Sequence, residues 1–292
     1  RPKRRCSLNG RGGGDRGRWR SARRNADSRA MTYTHALSFP KSGRTWVEIM
    51  AARAQSIVSG RPIEAFLAGR LDAHALRRDG LPVLEFGHGR KKRLITGDGA
   101  FPVEVYRGER VALLVRDPRD VVVSRYHYER HQHHRFDADL ESFIRFQPGA
   151  DPEANARWGL GPIINWMNAW ARHRDVLGAF HLMRYEDIHR DPSAELSALL
   201  RFAQIDAPDT AVAQAVEYGR FENMRALERS NTLNWGGLPN ASRPEGLKTR
   251  RGLVGGHRNE LGADLIRWLD DQIDERLDPY FDCYRSPQAV AG

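Results

Sequence analysis

The stretch SFPKSGRTWVEIM, Ser38 to Met50, decides the fold. A short strand-like run, YTHALSF, leads into it and ends at Pro40. Apolar residues at helical spacing follow Gly43 as far as Val58. A strand, a tight turn and a helix in this order form the opening unit of an α/β protein. A glycine-containing turn at the start of a helix also presents backbone N–H groups to a phosphate.

The side chains of this turn add to its phosphate-binding character. Lys41 supplies a positive charge, and Ser42 and Thr45 supply hydroxyl donors. The ATP-binding pattern GxxxxGK[ST] is absent, because Lys41 precedes Gly43 instead of following a glycine. We therefore expect the turn to hold a phosphate other than the β- and γ-phosphates of ATP with magnesium. A Pro-Lys-Ser-Gly turn that arose by chance in an ordinary loop stays open as an alternative.

The chain from Met31 onward alternates predicted strands and helices. This alternation predicts an α/β fold with a mostly parallel central sheet and helices on both faces. We expect one domain, residues 31–292, because no linker or internal repeat interrupts it. The predicted strands after the first are 93–96, 110–115 and 180–185. After the helix that follows Gly43, one helix is predicted to start at Pro118 and three others to cover 161–177, 191–205 and 261–277. A long loop is predicted for 229–258.

The positive charge of the chain is concentrated at one end. The formal net charge is +10, and residues 1–30, rich in Arg and Gly, carry ten arginines and one lysine against two aspartates. The remainder is nearly neutral, which argues against nucleic acid as a partner. We expect residues 1–30 to be a disordered tail. Upstream sequence that is not part of the natural protein, an Arg-rich transit peptide and a basic interaction arm are the open interpretations.

Composition also bounds the environment of the protein. The chain has two cysteines, Cys6 and Cys283, far apart in sequence, which argues against a disulfide framework and favours a reducing, cytoplasmic location. No apolar run approaches the roughly 18 residues of a membrane helix, so we expect no transmembrane segment. The 42 arginines against 5 lysines favour a GC-rich, bacterial genome. No oligomeric state is predicted.

The stretch LLVRDPRDVVVSRY combines a strand end with a helix start. Arg116 follows the strand, and Ser124 lies eight residues later in the helix that begins at Pro118. Ligands bind at the carboxyl ends of strands in open α/β sheets, where an arginine can grip a phosphate with two N–H groups. The Ser124 hydroxyl can reach the same anion. An ion pair of Arg116 with Asp117 or Asp120 on the surface is an equally open interpretation.

Two later stretches supply further ligand-binding side chains. KTRRGLVGGHRNEL places Arg250 and Arg251 beside Gly252, whose backbone can approach a ligand closely. A solvated basic loop is the alternative interpretation. In MRYEDIHRDP, Tyr185 ends a predicted strand and offers an aromatic face or a hydroxyl to a base.

Together these stretches resemble the sulfotransferases that use 3′-phosphoadenosine-5′-phosphosulfate (PAPS). The segment Pro40–Trp46 is similar to the P-K-S-G-T-T-W loop of the family, and Arg116 with Ser124 is similar to its 3′-phosphate motif. The YED segment that starts at Tyr185 and the RRGLVG segment of residues 250–255 are similar to two later motifs. The resemblance spans roughly residues 34–260.

The resemblance implies transfer of a sulfuryl group from PAPS to an acceptor, most simply a hydroxyl of a small molecule, with lipid or glycan acceptors also open and with no metal. It implies that Lys41 is catalytic, because it would neutralise the leaving phosphate. It further implies that PAPS is bound by Lys41, Ser42, Gly43, Arg44, Thr45, Trp46, Arg116, Ser124, Tyr185, Arg250, Arg251 and Gly252. Trp46 and Tyr185 would lie at the adenine.

The sequence departs from the family pattern at two places. Arg44 stands where threonine is commoner, and either an extra contact to the anion or a solvent-facing side chain would explain it. Many members carry a catalytic histidine after the second strand, and Gly97 is expected at that position here. Asp98 is therefore the predicted general base, with a simple turn role as its alternative and with Glu48 and His88 as further candidates.

Three rival functions and one rival site remain at this point. A nucleic-acid-binding protein would rest on residues 1–30 alone. A catalytically silent relative that only binds the nucleotide would fit Gly97 at the expected histidine position, and a P-loop nucleotide kinase would fit the loop alone. His127 and His131 have the i, i+4 spacing of a zinc site, but a solvated or substrate-facing helix end is the favoured interpretation.

Overall fold

A four-stranded parallel sheet forms the centre of the computed structural model, which describes residues 32–89, 103–149, 151–230 and 249–286. The strand order is β2-β1-β3-β4, and each neighbouring pair is parallel. This confirms the predicted α/β class. The strands are β1 (Tyr33–Ser38), β2 (Val83–Gly87), β3 (Arg110–Val115) and β4 (Ala179–Arg184).

Helices connect the strands and cover the sheet. In the described ranges the α-helices are α1 (Arg44–Ser59), α2 (Ala73–Arg78), α3 (Pro118–His127), α4 (Leu140–Ile144), α5 (Pro152–Arg157), α6 (Gly161–His173), α7 (Tyr185–Arg190), α8 (Pro192–Phe202), α9 (Asp209–Tyr218), α10 (Phe221–Ser230) and α11 (Ala263–Arg276). A π-helical turn, Tyr128–Gln132, continues α3, and a 3-10 turn, Gly256–Asn259, precedes α11. None of these helices is long and apolar enough to cross a lipid bilayer.

Alternate side chains of β3 point into two separate cores. Leu113 packs with apolar residues of α3, α6 and α11 on one face of the sheet. Leu114 packs with residues of α1, α8 and α9 on the other face. Because both faces are covered, β3 needs apolar residues at every position after Arg110, and this explains its unbroken run VALLV. The tryptophans Trp166 and Trp170 lie in the first of these cores.

Local sequence signals set the starts of several helices as predicted. Asp117 accepts a hydrogen bond from the backbone N–H of Arg119 at 2.8 Å, and Pro118 is the first residue of α3. Asp191 caps α8 in the same way, with a 2.9 Å bond from the N–H of Ala194.

Several boundaries differ from the sequence predictions. Tyr185 does not end β4, because the strand stops at Arg184 and Tyr185 begins α7. The strand β2 was not predicted, since its run VLEFG has only five residues and a glutamate in the middle. Helix α10 continues to Ser230, two residues into the segment predicted as loop. The predicted strand 93–96 and the predicted tail 1–30 lie outside the described residues.

Replacing Leu113 by alanine should lower the free energy of unfolding by about 2–5 kcal/mol, because its side chain is fully buried between the sheet and three helices. Urea denaturation measures the loss. Val58→Ala is the control, since Val58 is 40% exposed on α1, and its effect should stay within about 0.5 kcal/mol. Equal effects of the two substitutions would contradict the assignment of Leu113 to the core.

Candidate active site

The carboxyl ends of β1 and β3 lie side by side at one edge of the sheet. In the parallel register Ser38 is paired with Leu114. The chain leaves this edge through the turn after Ser38, through Arg116 after β3, and through Tyr185 after the neighbouring strand β4. Three segments that are far apart in sequence, each predicted to bind a nucleotide, are therefore neighbours in the fold.

A cavity of about 870 Å³ lies where these segments meet. Ser42 is the one residue predicted to bind the nucleotide that is absent from its wall, since the Ser42 side chain is buried beneath the turn. The wall contains all the other predicted nucleotide-binding residues: Lys41, Gly43, Arg44, Thr45, Trp46, Arg116, Ser124, Tyr185, Arg250, Arg251 and Gly252.

The charge of the cavity wall is strongly unbalanced. Among its described residues Asp120 is the one acidic side chain. Such a concentration of cations attracts a ligand that carries more than one negative charge. Six side chains are Lys or Arg: Lys41, Arg44, Arg116, Arg220, Arg250 and Arg251.

The turn between β1 and α1 is shaped to expose backbone N–H groups. Lys41 has φ 77° and Gly43 has φ 98°, both in the left-handed region, and the N–H of Ser42 closes the turn on the carbonyl of Phe39 at 3.2 Å. A lysine in this conformation is strained, as residues at ligand-binding sites often are. Helix α1 then begins at Arg44 with no acidic residue in its first turn. The positive end of the helix dipole therefore faces the cavity without a local counter-charge.

The ring of Tyr185 packs against this turn so closely that only glycine fits at position 43. A Cβ atom on Gly43 would lie 2.5 Å from Cδ2 of Tyr185. The guanidinium carbon of Arg116 is 4.2 Å from the centroid of the same ring, and Trp46 meets it edge-on at 5.8 Å. Burial raises the pKa of the Tyr185 hydroxyl, so it stays protonated at neutral pH. The loop, the arginine and the two aromatic rings form one packed unit.

Arg116 is paired with Asp120, as one of the two interpretations expected. The pair is not on the open surface, because Asp120 is buried, Arg116 is half-buried and both line the cavity. The Nη2 group donates to Oδ2 of Asp120 at 3.2 Å and to the carbonyl of Leu253 at 2.8 Å. Burial alone would raise the pKa of Asp120, but hydrogen bonds from His257 and the charge of Arg116 bring it down to about 2. The carboxylate is therefore ionised at neutral pH and fixes one edge of the guanidinium.

The basic pair Arg250 and Arg251 is also held by a carboxylate. Oε1 of Glu260 accepts from Arg250 at 2.8 Å and lies 3.3 Å from Nη1 of Arg251, while Oε2 is 2.6 Å from Nε2 of His127. Burial would raise the pKa of Glu260, but the contacts with His127 and Arg250 lower it to about 2. Both arginines are therefore tied to a carboxylate, although the Arg251 side chain is 46% exposed. They are oriented within the cavity wall.

Gly252 lies against an aromatic residue that was not predicted. It has φ 64°, and a Cβ atom there would lie 3.0 Å from the ring of Phe221. His189 donates to the Gly252 carbonyl at 2.9 Å. Phe221 and Met224, both in the wall, belong to helix α10. The only signal for them in the sequence is their i, i+3 apolar spacing, which is equally typical of an ordinary core helix.

The far wall of the cavity comes from α3 and the turn that follows it. Ser124 is half-buried on α3 and lines the cavity. Tyr128 starts the π-helical turn, a feature often found at functional sites, and the ammonium of Lys41 lies 4.8 Å from the centroid of its ring. The sequence does not single out Tyr128, because nothing local distinguishes it from neighbouring polar helix residues.

The three general-base candidates lie in different surroundings. Asp98, the predicted base, lies outside the described residues. Glu48 is buried, is absent from the described cavity wall, and accepts the backbone N–H of Ala68 at 2.5 Å. His88 follows β2 directly and lines the cavity, with Nδ1 2.8 Å from the carbonyl oxygen of Ser38. Because a carbonyl only accepts, this contact assigns the proton to Nδ1 and makes Nε2 the basic nitrogen of the neutral ring.

The histidine pair on α3 and its continuation has a structural explanation. His127 contacts Glu260, and its ring stacks on that of His131 with centroids 5.7 Å apart. In the part of the chain that the structure describes, no group of three or more His, Cys, Asp or Glu side chains is arranged to hold a metal ion.

Comparison with known proteins identifies the family. Residues 100–281 match the model of the sulfotransferase domain, which is more than half of the chain. The chain belongs to this sulfotransferase family. The match confirms the family predicted from the four motifs, and with it an enzyme of the sulfotransferase class. It begins after the Pro40–Trp46 loop, so the similarity of that loop rests on its own residues.

Individual sulfotransferases are similar over most of the chain. Sulfotransferase 2A6 of Mus musculus is 24% identical over 254 residues, which cover 82% of each protein. The structure of mouse sulfotransferase SULT7A1 complexed with PAP aligns with a TM-score of 0.56 and 20% identity, over 90% of this chain and 88% of that one. A structure of retinol dehydratase with androsterone and the inactive cofactor PAP aligns with a TM-score of 0.55 and 16% identity, over 88% and 83%. These structural alignments support the fold.

Replacing Gly43 by alanine should disrupt the sulfotransferase site. The new methyl group would meet the ring of Tyr185, which is also in contact with Arg116 and cannot move without displacing it. We expect binding of adenosine 3′,5′-bisphosphate (PAP), measured by isothermal titration calorimetry, to weaken by about tenfold or more.

Gly60→Ala is the matched control for this substitution. Gly60 ends the same helix, also with positive φ, but a Cβ atom there meets nothing within 4 Å. Both substitutions carry the strain of a left-handed alanine, so only the contact with Tyr185 distinguishes them. Similar PAP affinities in the two variants would show that the packing of Tyr185 on Gly43 does not shape the site.

Proposed function

We propose that the protein transfers the sulfuryl group of PAPS to a hydroxyl group of a small-molecule acceptor. The observation that carries this proposal is the cavity wall, where cations from separate segments surround aromatic rings. A nucleotide with phosphate groups on both its 3′ and 5′ positions has this distribution of charge around a flat base. Retinol dehydratase, which shares the fold, has been crystallised with androsterone and PAP, and this supports a small-molecule acceptor here.

The residues divide into two groups around the nucleotide. The turn at Lys41 and the N-terminus of α1 would hold the 5′-phosphosulfate, with Thr45 as a hydroxyl donor. Arg116, Ser124 and the Arg250–Gly252 segment would hold the 3′-phosphate. Three rings would enclose the adenine: Trp46 and Tyr185, which contact each other, and Phe221, which contacts Gly252.

The cavity wall fits this nucleotide better than it fits ATP with magnesium. Within the described wall Asp120 is the single carboxylate, and four donors already occupy its oxygens. A nucleotide kinase would need an acid to hold the metal ion. In the proposed reaction PAPS supplies the sulfuryl group and a phosphate as leaving group, and Lys41 neutralises the charge that develops on that phosphate.

We propose His88 as the general base in place of Asp98. Its Nε2 atom would accept the proton of the acceptor hydroxyl while the hydroxyl oxygen forms a bond to sulfur and the bond from sulfur to the 5′-phosphate oxygen breaks. The products are a sulfate ester and PAP. The contact of Nδ1 with the Ser38 carbonyl supports this role, because it orients the ring and fixes which nitrogen is basic.

Nucleotide titrations test the co-substrate. We expect wild-type protein to bind PAP and not to prefer ATP–Mg²⁺. Arg116→Ala should weaken PAP binding by about 10–100-fold, the usual effect of losing a charged hydrogen-bond donor. Arg110→Ala is the control. Arg110 lies at the start of β3, the strand that Arg116 follows, and donates to the carbonyl of Phe202. Tighter binding of ATP–Mg²⁺ than of PAP would overturn the proposed function.

His88→Gln tests the base in a transfer assay with radiolabelled PAPS and a panel of phenols, sterols and primary alcohols. We expect kcat to fall by about 10²–10⁴-fold, while the affinity for PAP stays within about threefold of wild type, because glutamine keeps a polar side chain beside Ser38. His74→Gln, an exposed histidine on α2, is the control.

Asp98→Asn completes this comparison. Full activity of Asp98→Asn together with a loss in His88→Gln would support His88, and the reverse pattern would return the role to Asp98. Wild-type protein that binds PAP tightly but transfers sulfate to no acceptor would instead match a catalytically silent relative.

A further inference from the structure

The carboxylate of Asp120 collects hydrogen bonds from two parts of the cavity wall. Its Oδ1 atom accepts from the backbone N–H of His257 at 3.0 Å and from Nδ1 of the same residue at 2.8 Å. Its Oδ2 atom accepts from the backbone N–H of Gly255 at 2.9 Å and from Arg116 at 3.2 Å. One buried side chain on α3 therefore joins the end of β3 to residues 250–257, the late basic segment, which lies about 135 residues further along the chain.

The late basic segment depends on such an external acceptor. Gly252 and Gly255 both have positive φ, so the segment forms no regular structure before the 3-10 turn at Gly256. Within this segment the N–H groups of Gly255 and His257 are both accepted by Asp120. Arg116 strengthens the connection, because the Nη2 group that reaches Asp120 also donates to the carbonyl of Leu253 in this segment.

The burial of Asp120 and His257 makes the contacts between them hard to replace. His257 and the side chain of Asp120 are each 1% exposed, so water cannot replace a lost partner. A buried carboxylate is tolerated only where donors surround it. Removing its charge would weaken the contacts to two backbone N–H groups, an imidazole and one edge of a guanidinium together.

We propose that Asp120 is a positioning residue that assembles the 3′-phosphate subsite, by fixing Arg116 and the backbone of residues 252–257 against each other. The preference of the protein for a nucleotide with a 3′-phosphate depends on this carboxylate. The proposal rests on the proposed function, because it assumes that these two segments bind the 3′-phosphate. It assigns to Asp120 no contact with the reacting atoms.

A second role for Asp120, competition with the phosphate, predicts the opposite change in the affinity for PAP. A carboxylate beside Arg116 could compete with the phosphate for the guanidinium. In that case removing its charge would tighten the binding of PAP. If Asp120 positions the subsite, the same change weakens the binding of PAP and leaves the remainder of the nucleotide unaffected.

The test compares PAP with adenosine 5′-phosphate, which lacks the 3′-phosphate, by titration calorimetry of wild type and Asp120→Asn. We expect Asp120→Asn to weaken PAP by about tenfold or more and to change the affinity for adenosine 5′-phosphate by less than about twofold. Asp117→Asn is the matched control, because Asp117 lies at the start of the same helix and hydrogen-bonds Arg119. It should leave both affinities unchanged.

A second variant decides the matter if Asp120→Asn does not fold. His257→Phe keeps a buried ring but removes the Nδ1 donor to Asp120. We expect it, like Asp120→Asn, to lower the ratio of the affinity for PAP to the affinity for adenosine 5′-phosphate, here by about three- to tenfold. It should also speed hydrogen exchange at the Gly255 amide, a readout that follows the contact itself.

Three outcomes would overturn the assignment. An unchanged ratio of affinities in both variants would remove Asp120 from the subsite, and a tighter affinity of Asp120→Asn for PAP would make it a competitor. Either of these two outcomes contradicts this inference alone. Wild-type protein that binds the two nucleotides equally contradicts the proposed function as well.

Discussion

The parallel pairing of β1 with β3 is the constraint on which the candidate site depends. It places Ser38 beside Leu114, so the phosphate-binding turn and Arg116 leave the sheet at the same level. A slip of one residue would send Leu113 to the opposite face of the sheet. Because Leu113 and Leu114 face different hydrophobic cores, the register is strongly determined. The burial of two leucines therefore fixes the position of a guanidinium in the cavity wall.

Features encoded by neighbouring residues could be predicted from the sequence. The starts of α3 and α8 follow from an aspartate and a proline in succession, whose physical preferences need no distant partner. The turn at Gly43 is of the same kind. Contacts between distant segments could not be predicted in this way. The packing of Phe221 on Gly252 and the bonds of Asp120 to His257 join residues whose local patterns are those of ordinary helices and loops.

The second strand shows how one such contact changes a functional interpretation. The runs VLEFG (83–87) and RLIT (93–96) lie a few residues apart, and both have acceptable strand patterns. Only the pairing with β1 identifies VLEFG as β2. Leu37 of β1 pairs with Gly87, so the next residue, His88, lies beside Ser38 at the edge that carries the site. Aligning the family histidine after residues 93–96 gave Gly97 instead. The prediction of Gly97 at the histidine position depends on a strand at 93–96, which lies outside the described residues, whereas His88 follows a strand that the structure describes.

The cations of the cavity wall also explain why carboxylates lie among them. Guanidinium groups that converge on one cavity repel each other when no anion is bound. Arg116 and Arg250 each have a carboxylate within 3.2 Å, Asp120 and Glu260 respectively. Each carboxylate has a pKa of about 2, below its ordinary value. The stabilisation from these pairs is therefore complete at neutral pH and is lost as the pH falls toward 2.

These carboxylates can orient the arginines without occupying them fully. A guanidinium has five N–H donors in a rigid plane, so a carboxylate at one edge leaves donors at another edge for a ligand. A lysine ammonium has no such division. This difference accounts for two neighbouring arginines, Arg250 and Arg251, that share one oxygen of Glu260. The same geometry lets Arg116 hold Asp120 and Leu253 with one nitrogen, so that binding an anion need not break the network that positions it.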